Sequence, residues 1–344
     1  MAGEPLCAPT KLLAQESEGA ATAAQEGDID VPDIIFSHIM DSYEWHITDW
    51  GEHSIAIHLP VILISRNDGI TVFSSRHLEG GEEYRGYHIA GTGQKHEGKV
   101  VDSEGNRPFD ISITKNVLSL MMSSILLLVV ILLTARWYKT HDALKEAPRG
   151  IAAYMEPIIM MVHNMARESI GEEDYRRFSP YLCMAFLFIL LNNFLGIVPF
   201  FPGGANLTGN IAITMFLALC TFLTVNLFGT KHYYKDIFAP DVPVLLKPIM
   251  PIIEVFSAVM KPVSLTIRLF ANMMAGHILI LSMVCIIFIM AKYGGVIFGS
   301  MTVVSVFFGV FCDMLECLVA FIQAYVFTML SSIYIGLARQ KGEH

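Results

Sequence analysis

The feature that most constrains this chain is a single arginine. Arg268 lies in the run Lys261-Pro-Val-Ser-Leu-Thr-Ile-Arg-Leu-Phe-Ala-Asn-Met-Met-Ala-Gly-His277, inside a stretch that is nearly all apolar from Pro248 to Ala291. A segment of that length and character belongs in a bilayer, where a fixed cation is expensive. Apolar sequence runs on for about twenty residues beyond Arg268, too far for its side chain to reach water at that end. At about 100° per residue on a helix, Asn272 falls one turn on and Lys261 two turns back on the same face, while His277 comes out roughly opposite. One helix therefore shows a fixed cation to one neighbour and a titratable imidazole to another.

A second polar set follows in the apolar run LECLVAFIQAYVF, where Glu316 and Gln323 are two turns apart on one face. An ionised acid in the membrane interior is costly unless it meets water or a base. His277 is the natural partner, because His and Glu titrate where a proton relay needs them. Asp313, one turn before Glu316, extends that polar line.

Composition agrees with a membrane protein that carries a polar head. The 344 residues are 53% hydrophobic and only 16% charged. Residues 1–110 hold 7 Lys/Arg against 19 Asp/Glu, and the remainder holds 16 against 13. Residues 1–30 are small, polar and acidic and read as a disordered leader with no signal-peptide core. If the head is exported, a signal peptide has been removed or lies outside this sequence. Residues 31–110 read as a small β-rich domain. In it Ile55, Ile57, Leu59, Val61 and Leu63 alternate along one strand, Asn67-Asp68-Gly69 supplies a turn, and Ile70–Phe73 returns as hairpin partner. Seven of the twelve histidines (His38, His46, His53, His58, His77, His88, His96) fall there, but no pair has the spacing of a zinc module. The six cysteines are scattered, five of them in apolar helices, and read as packing residues.

Residues 111–344 form the membrane part. Asn116–Ala135 is long enough to span, and Arg136-Trp-Tyr-Lys139 marks its interface. The following loop carries Arg136, Lys139, Lys145, Arg149, Arg167, Arg176 and Arg177, so the positive-inside rule makes it cytoplasmic and puts the acidic head outside. Within it, Ile151, Tyr154, Ile158, Met161 and Met165 recur at helical spacing, predicting an amphipathic surface helix over 147–169. Spans are expected at Tyr181–Phe201 and Gly209–Leu227, joined by a tight Gly-rich turn, with Asn192, Asn193 and Asn226 inside them. Those amides either bond between helices or line a hydrated cavity. Two further helices, about Pro251–Met290 and about Phe298–Leu337, each approach ~60 Å, twice the ~30 Å of hydrocarbon, so each lies strongly tilted or bends at Pro262. The fold class is thus an all-α polytopic membrane protein with upright spans, one surface helix, two long tilted helices and a small β-rich extramembrane head.

The run SLTIRLFANMMAGH, followed by Glu316 and by Gln323 in QAYVFTMLSSIY, closely resembles subunit a of the F-type ATP synthase membrane sector, from about Ile113 onward. The resemblance implies a stator beside a rotating ring of c subunits, held with a peripheral stalk of subunit b and the other subunits of the complex. It implies ion translocation by Arg268, His277, Glu316, Gln323, Asn272, Glu254, Ser264 and Asn193. Asn193, His277 and Glu316 would serve an outer half-channel, and Ser264 and Glu254 an inner one. Read without it, Glu254 is an exposed acid near a helix start, favourable with the helix dipole. Relatives often carry an acid at position 277 and a base at 316; here the two are exchanged, and Gly196 stands where some carry an acid. The residues do not distinguish H+ from Na+.

No GxxxxGK[ST] loop occurs, so no catalytic site, nucleotide or other cofactor is expected on this chain, nor nucleic acid as a partner. The expected setting is a bacterial inner membrane, with the N-terminal domain periplasmic and the C-terminus cytoplasmic. The alternative is a stand-alone secondary transporter or cation channel, which predicts a repeat of hydropathy between halves; the two long last helices have no earlier counterparts.

Overall fold

The structure is a computed structural model that describes residues 41–340 except for 51–52, 66–68, 82, 92–95, 97, 104, 143–145, 199–202, 239–242, 244–246, 248 and 291–294. The leader at 1–30, His38 and Cys7 lie outside the described residues, as do the side chains of His46 and His53. Contacts divide the chain into two units, one of residues 1–38 with 281–309, the other of 39–280 with 310–344. Within the first, the described residues are helical and apolar. Every residue discussed below as a site belongs to the second.

The head begins with an antiparallel hairpin of β1 (Glu44–Trp50) and β2 (His53–His58). A three-stranded sheet follows in the order β4 (Gly69–Ser74), β3 (Pro60–Ser65), β7 (Phe109–Asp110), and β5 (Tyr87–Ile89) pairs with β6 (Val100–Asp102). Alternation does the folding here: Val61, Leu63 and Phe73 point inward and pack with Tyr43, Leu78, Tyr87 and Val100. The hairpin expected around Asn67-Asp68-Gly69 is present as β3 and β4, and Gly69 takes a positive φ of 68° as β4 begins.

The single strand expected over Ile55–Leu63 is instead two strands in different sheets, broken at Leu59. Pro60 opens the second strand and brings no N–H to a ladder. Leu59 turns the corner by donating to the Tyr43 carbonyl at 3.3 Å and accepting from Ser75 N at 2.9 Å.

Seven helices follow in the described residues: α1 (Lys115–Thr140), α2 (Ile151–Ile170), α3 (Tyr175–Ile197), α4 (Ile211–Leu227), α5 (Lys231–Phe238), α6 (Met250–Met290) and α7 (Gly295–Arg339). Four are long and apolar enough to cross a membrane, or five if α4 and α5, bent by 102°, count as one broken span. α1 is apolar all round and buries the short or polar side chains of Asn116, Ser119, Ser123 and Thr134 with Leu127, a seam of small residues that lets a neighbour approach.

The periodic stripe of α2 is buried in part: Met165 is buried, and Ile158 and Met161 are half-buried against the core. Ala152, Met155, Val162, Met165 and Ala166 are buried, whereas Ile151 and Tyr154 are 44% and 79% exposed. Ala152 and Ala166 on the packed face let a neighbouring helix come close. The helix starts at Ile151, after Gly150 at φ 64°.

α6 continues as helix through Pro262. At 1.5 Å per residue, its 41 residues and the 45 of α7 measure roughly 60 Å and 67 Å. The C-terminal end of α7 is pinned in place. Gly336 lets it meet α2, since a Cβ there would fall 2.1 Å from the Ser169 carbonyl oxygen. Arg339 donates to Asp174 at 2.9 Å and to the Phe228 carbonyl at 3.2 Å, and Thr230 N donates to the Ala338 carbonyl at 2.9 Å.

Candidate functional site

Two polar rungs join α6 and α7. At one, His277 Nδ1 lies 3.1 Å from Glu316 Oε1. At the other, Asn272 Nδ2 donates to Gln323 Oε1 at 2.7 Å. Apolar side chains fill the seam on either side, among them Leu265, Leu269 and Met273 from α6 and Ala320, Ala324 and Phe327 from α7. Alanines at 320 and 324 let the helices come close enough for short polar side chains to bridge.

The first rung is set up by a residue the sequence did not single out. A Cβ on Gly276 would sit 2.6 Å from Glu316 Oε1 and 2.8 Å from its Cδ, so the glycine leaves the space that the carboxyl occupies. Glu316 is 6% exposed, and its second oxygen, Oε2, is buried with no hydrogen-bond partner. A buried carboxyl oxygen left open is unusual. His277 and Glu316 share one hydrogen bond in either protonation sense: a carboxylate accepts from Nδ1–H, or a protonated carboxyl donates to bare Nδ1. Such a pair can pass a proton without moving either backbone.

Asn193 on α3 joins from a third side. It is fully buried, donates from Nδ2 to the Ala320 carbonyl at 3.2 Å and accepts at Oδ1 from Thr208 Oγ1 at 2.8 Å. Thr208, Leu207, Asn206 and Ala205 are themselves buried, so part of the turn between α3 and α4 folds inward against the helices. Of the three asparagines in α3 and α4, Asn193 bonds across helices, whereas Asn192 and Asn226 donate to their own helices at Phe188 and Phe222. Asn192 Oδ1 and Asn206 Nδ2 are buried without partners. Gly196 stands next to the first rung, 3.8 Å from His277 Cε1 when measured from a built Cβ.

Arg268 is half-buried, one turn before Asn272, and forms no ion pair or hydrogen bond among the described residues. Asn272 and Ser264 are exposed and Glu254 half-exposed. Glu254, about four turns before Arg268, lies near Tyr233 and is not brought to the rungs. Asp313 is exposed on α7. Lys261 places its ammonium 5.3 Å from the centroid of the Tyr334 ring, beside a crevice also lined by Asn226 and Tyr233. Sequence reasoning missed Thr208, Gly276 and Tyr334. Gly276 could have been noticed as the small residue beside a functional histidine; the other two meet their partners only across the fold.

The described cysteines are all free: Cys285 is buried, Cys183, Cys220 and Cys312 half-buried, and Cys317 exposed. In the head, His77 stacks on Tyr84 with centroids 4.5 Å apart, and no group of three His, Cys, Asp or Glu among the described residues is arranged to hold a metal ion.

A family model described as ATP synthase A chain matches residues 119–336, and one for a domain of unknown function matches residues 34–118. Among similar proteins, "ATP synthase subunit a 2" of Prosthecochloris aestuarii is 40% identical over 289 residues, covering 79% of this chain and 85% of that one. "ATP synthase subunit a 2" of Chlorobaculum tepidum is 36% identical over 95% of this chain and 78% of its own. "ATP synthase subunit a" of Pelodictyon phaeoclathratiforme is 35% identical over 97% and 83%. The last two matches therefore run through the β-rich head as well as the helices.

Proposed function

The chain belongs to the ATP synthase A chain family, and on that premise we propose that it forms two offset half-channels against a rotating ring and couples ion flow to ring rotation. The observation that carries this reading is Arg268, a cation without an ion-pair partner among the described residues in a long apolar helix. A lone intramembrane cation favours the anionic form of a carboxyl that approaches it. Each ring carboxyl arriving at Arg268 therefore gives up its proton before passing, and the same charge repels a hydrated proton running straight through.

The two sides divide the labour. Asn193, His277 and Glu316 serve entry from the outside: the buried pair takes a proton from the outer phase and hands it to a ring carboxylate. Asn272 and Gln323 hold the helices together beside Arg268 and present amides to the ring site. Ser264 and Glu254 serve the exit. Each elementary charge crossing the field supplies ~2.3 kcal/mol per 100 mV, so several crossings must be summed for one nucleotide, and the ring does the summing. The partners are the c-subunit ring, the subunit b stalk and the other subunits of the complex. The setting is a bacterial inner membrane with the head periplasmic and the C-terminus cytoplasmic.

The test is ATP-driven acidification of inverted vesicles holding the assembled complex, wild type against Arg268→Ala. Loss of pumping with an intact complex is the expected result. Pumping that persists would remove Arg268 from the ion path and sink the reading.

A further inference from the structure

The three-stranded sheet of the head turns one face to the core and leaves the other bare. Val61, Leu63, Thr71 and Phe73 point inward and are buried. On the outward side, Ile70, Val72 and Phe109, together with Ile111 just past β7, are 71%, 57%, 69% and 52% exposed, and Ile62 and Ile64 lie between them. The register makes these one patch: Val72 is opposite Ile62, and Ile70 and Phe109 both stand opposite Ile64. Ile111 N donates to the Ile62 carbonyl at 3.0 Å, which completes the row of Val72 and Ile62. Among the described residues of β3 and β4, the remaining outward positions, Pro60 and Ser74, are uncharged. A contiguous apolar face without a charge is unusual on a domain meant to stand in water.

The chain itself points to what covers it. Past Ile111 the strand leads within four residues into α1, whose side chains Val117 and Met121 are exposed at the start of a helix fit to cross a membrane. The apolar strip is thus continuous from the sheet face into that helix. No loose linker intervenes. Ile113 N donates to the Pro60 carbonyl at 3.2 Å, Lys115 N to the Ser42 carbonyl at 2.9 Å and Asn116 N to Asp41 Oδ1 at 3.1 Å, so hydrogen bonds tie the head, and through Pro60 the sheet, to the start of α1.

We propose that the outward face of this sheet lies on the bilayer, with Ile70, Val72, Phe109 and Ile111 seated at the boundary between headgroups and acyl chains. An amphipathic helix uses an apolar face in this way at an interface, and a sheet with one bare apolar face offers the same chemistry. The head then braces the first span against the membrane surface, a role independent of the ion path.

The test uses the assembled complex, its native cysteines replaced, in vesicles of phosphatidylethanolamine and phosphatidylglycerol, with one nitroxide at Val72→Cys. A second sample carries it at Ser103→Cys, an exposed position on the turn after β6. Collision rates with dissolved oxygen and with a water-soluble nickel chelate are compared. A lipid-seated Val72 label shows a severalfold higher oxygen-to-nickel ratio than the Ser103 label. Equal ratios at the two positions would put the face in water. Low collision with both reagents at Val72 would mean a protein cover, whether residues 31–40, a second copy or another subunit. Either result overturns the proposal.

Discussion

Gly276→Ala separates the His277–Glu316 contact from the stability of the helix that carries it. A methyl at position 276 would fall 2.6 Å from Glu316 Oε1, where ordinary contact begins near 3.4 Å, so the carboxyl must retreat by about 0.8 Å. It can do so cheaply, because the displaced atoms are the end of a flexible side chain, and alanine is a better helix former than glycine by about 1 kcal/mol. The helix should therefore be no less stable. The hydrogen bond to His277, now 3.1 Å, cannot absorb the same shift, since such bonds weaken quickly beyond ~3.5 Å. A hydrogen bond to a charged group contributes about 1.5–3 kcal/mol, which corresponds to roughly ten- to hundred-fold in the population of the paired geometry. The expected outcome is a complex that assembles as well as wild type but pumps at least severalfold more slowly in ATP-driven acidification, with an altered pH profile because the imidazole and carboxyl no longer share a proton. Wild-type rates at every pH in the assembled variant would refute the idea that this contact carries protons.

Three further expectations follow from the geometry. Gln323→Leu should impair flux less than Arg268→Ala, and a double-mutant cycle of Asn272→Leu with Gln323→Leu should show coupling of about 0.5–1.5 kcal/mol in stability from their 2.7 Å bond, whereas strict additivity would say that the rung is not formed. Burial, and then a hydrogen bond donated to Asp110, push the Tyr43 hydroxyl well above its ordinary value of 10.0, so the folded head holds that proton more tightly than the unfolded chain does. The stabilisation is fully present below pH ~10 and is lost as pH rises above it. Protease resistance of the head, followed against pH, should fall over that alkaline range in wild type and less steeply in Tyr43→Phe; identical curves would count against it. Removing residues 1–100 should leave pumping measurable in a complex that still assembles, and a complete loss there would draw the head into the ion path.

Much of the membrane part can be read from the chain because hydropathy acts locally. Each apolar run must satisfy its own backbone as helix in lipid whatever its neighbours do, so the positions of α1, α3, α4, α6 and α7 follow from composition within a few residues. Position 268 stands out for the same reason, since an arginine in such a run is costly in any packing. Alternation likewise marked Val61 and Leu63, which the head buries.

What the sequence by itself determined was therefore the long apolar helices and the spacing of the polar residues along them. The tertiary structure alone decided which of those residues meet. Periodicity marked an apolar stripe on α2 from Ile151 to Met165, but only packing shows that Ala152, Val162 and Ala166 are buried along with Met165, because burial depends on how closely a neighbouring helix can approach. An unbroken alternation gave no hint that Leu59 would turn from one sheet into another, since the bonds that turn it come from Tyr43 and Ser75. His277 and Glu316 are 39 residues apart, and Asn193 and Thr208 are 15. Their contacts depend on the register and crossing of separate helices, and on the absence of one methyl group at Gly276, and no local rule of helix formation records any of these.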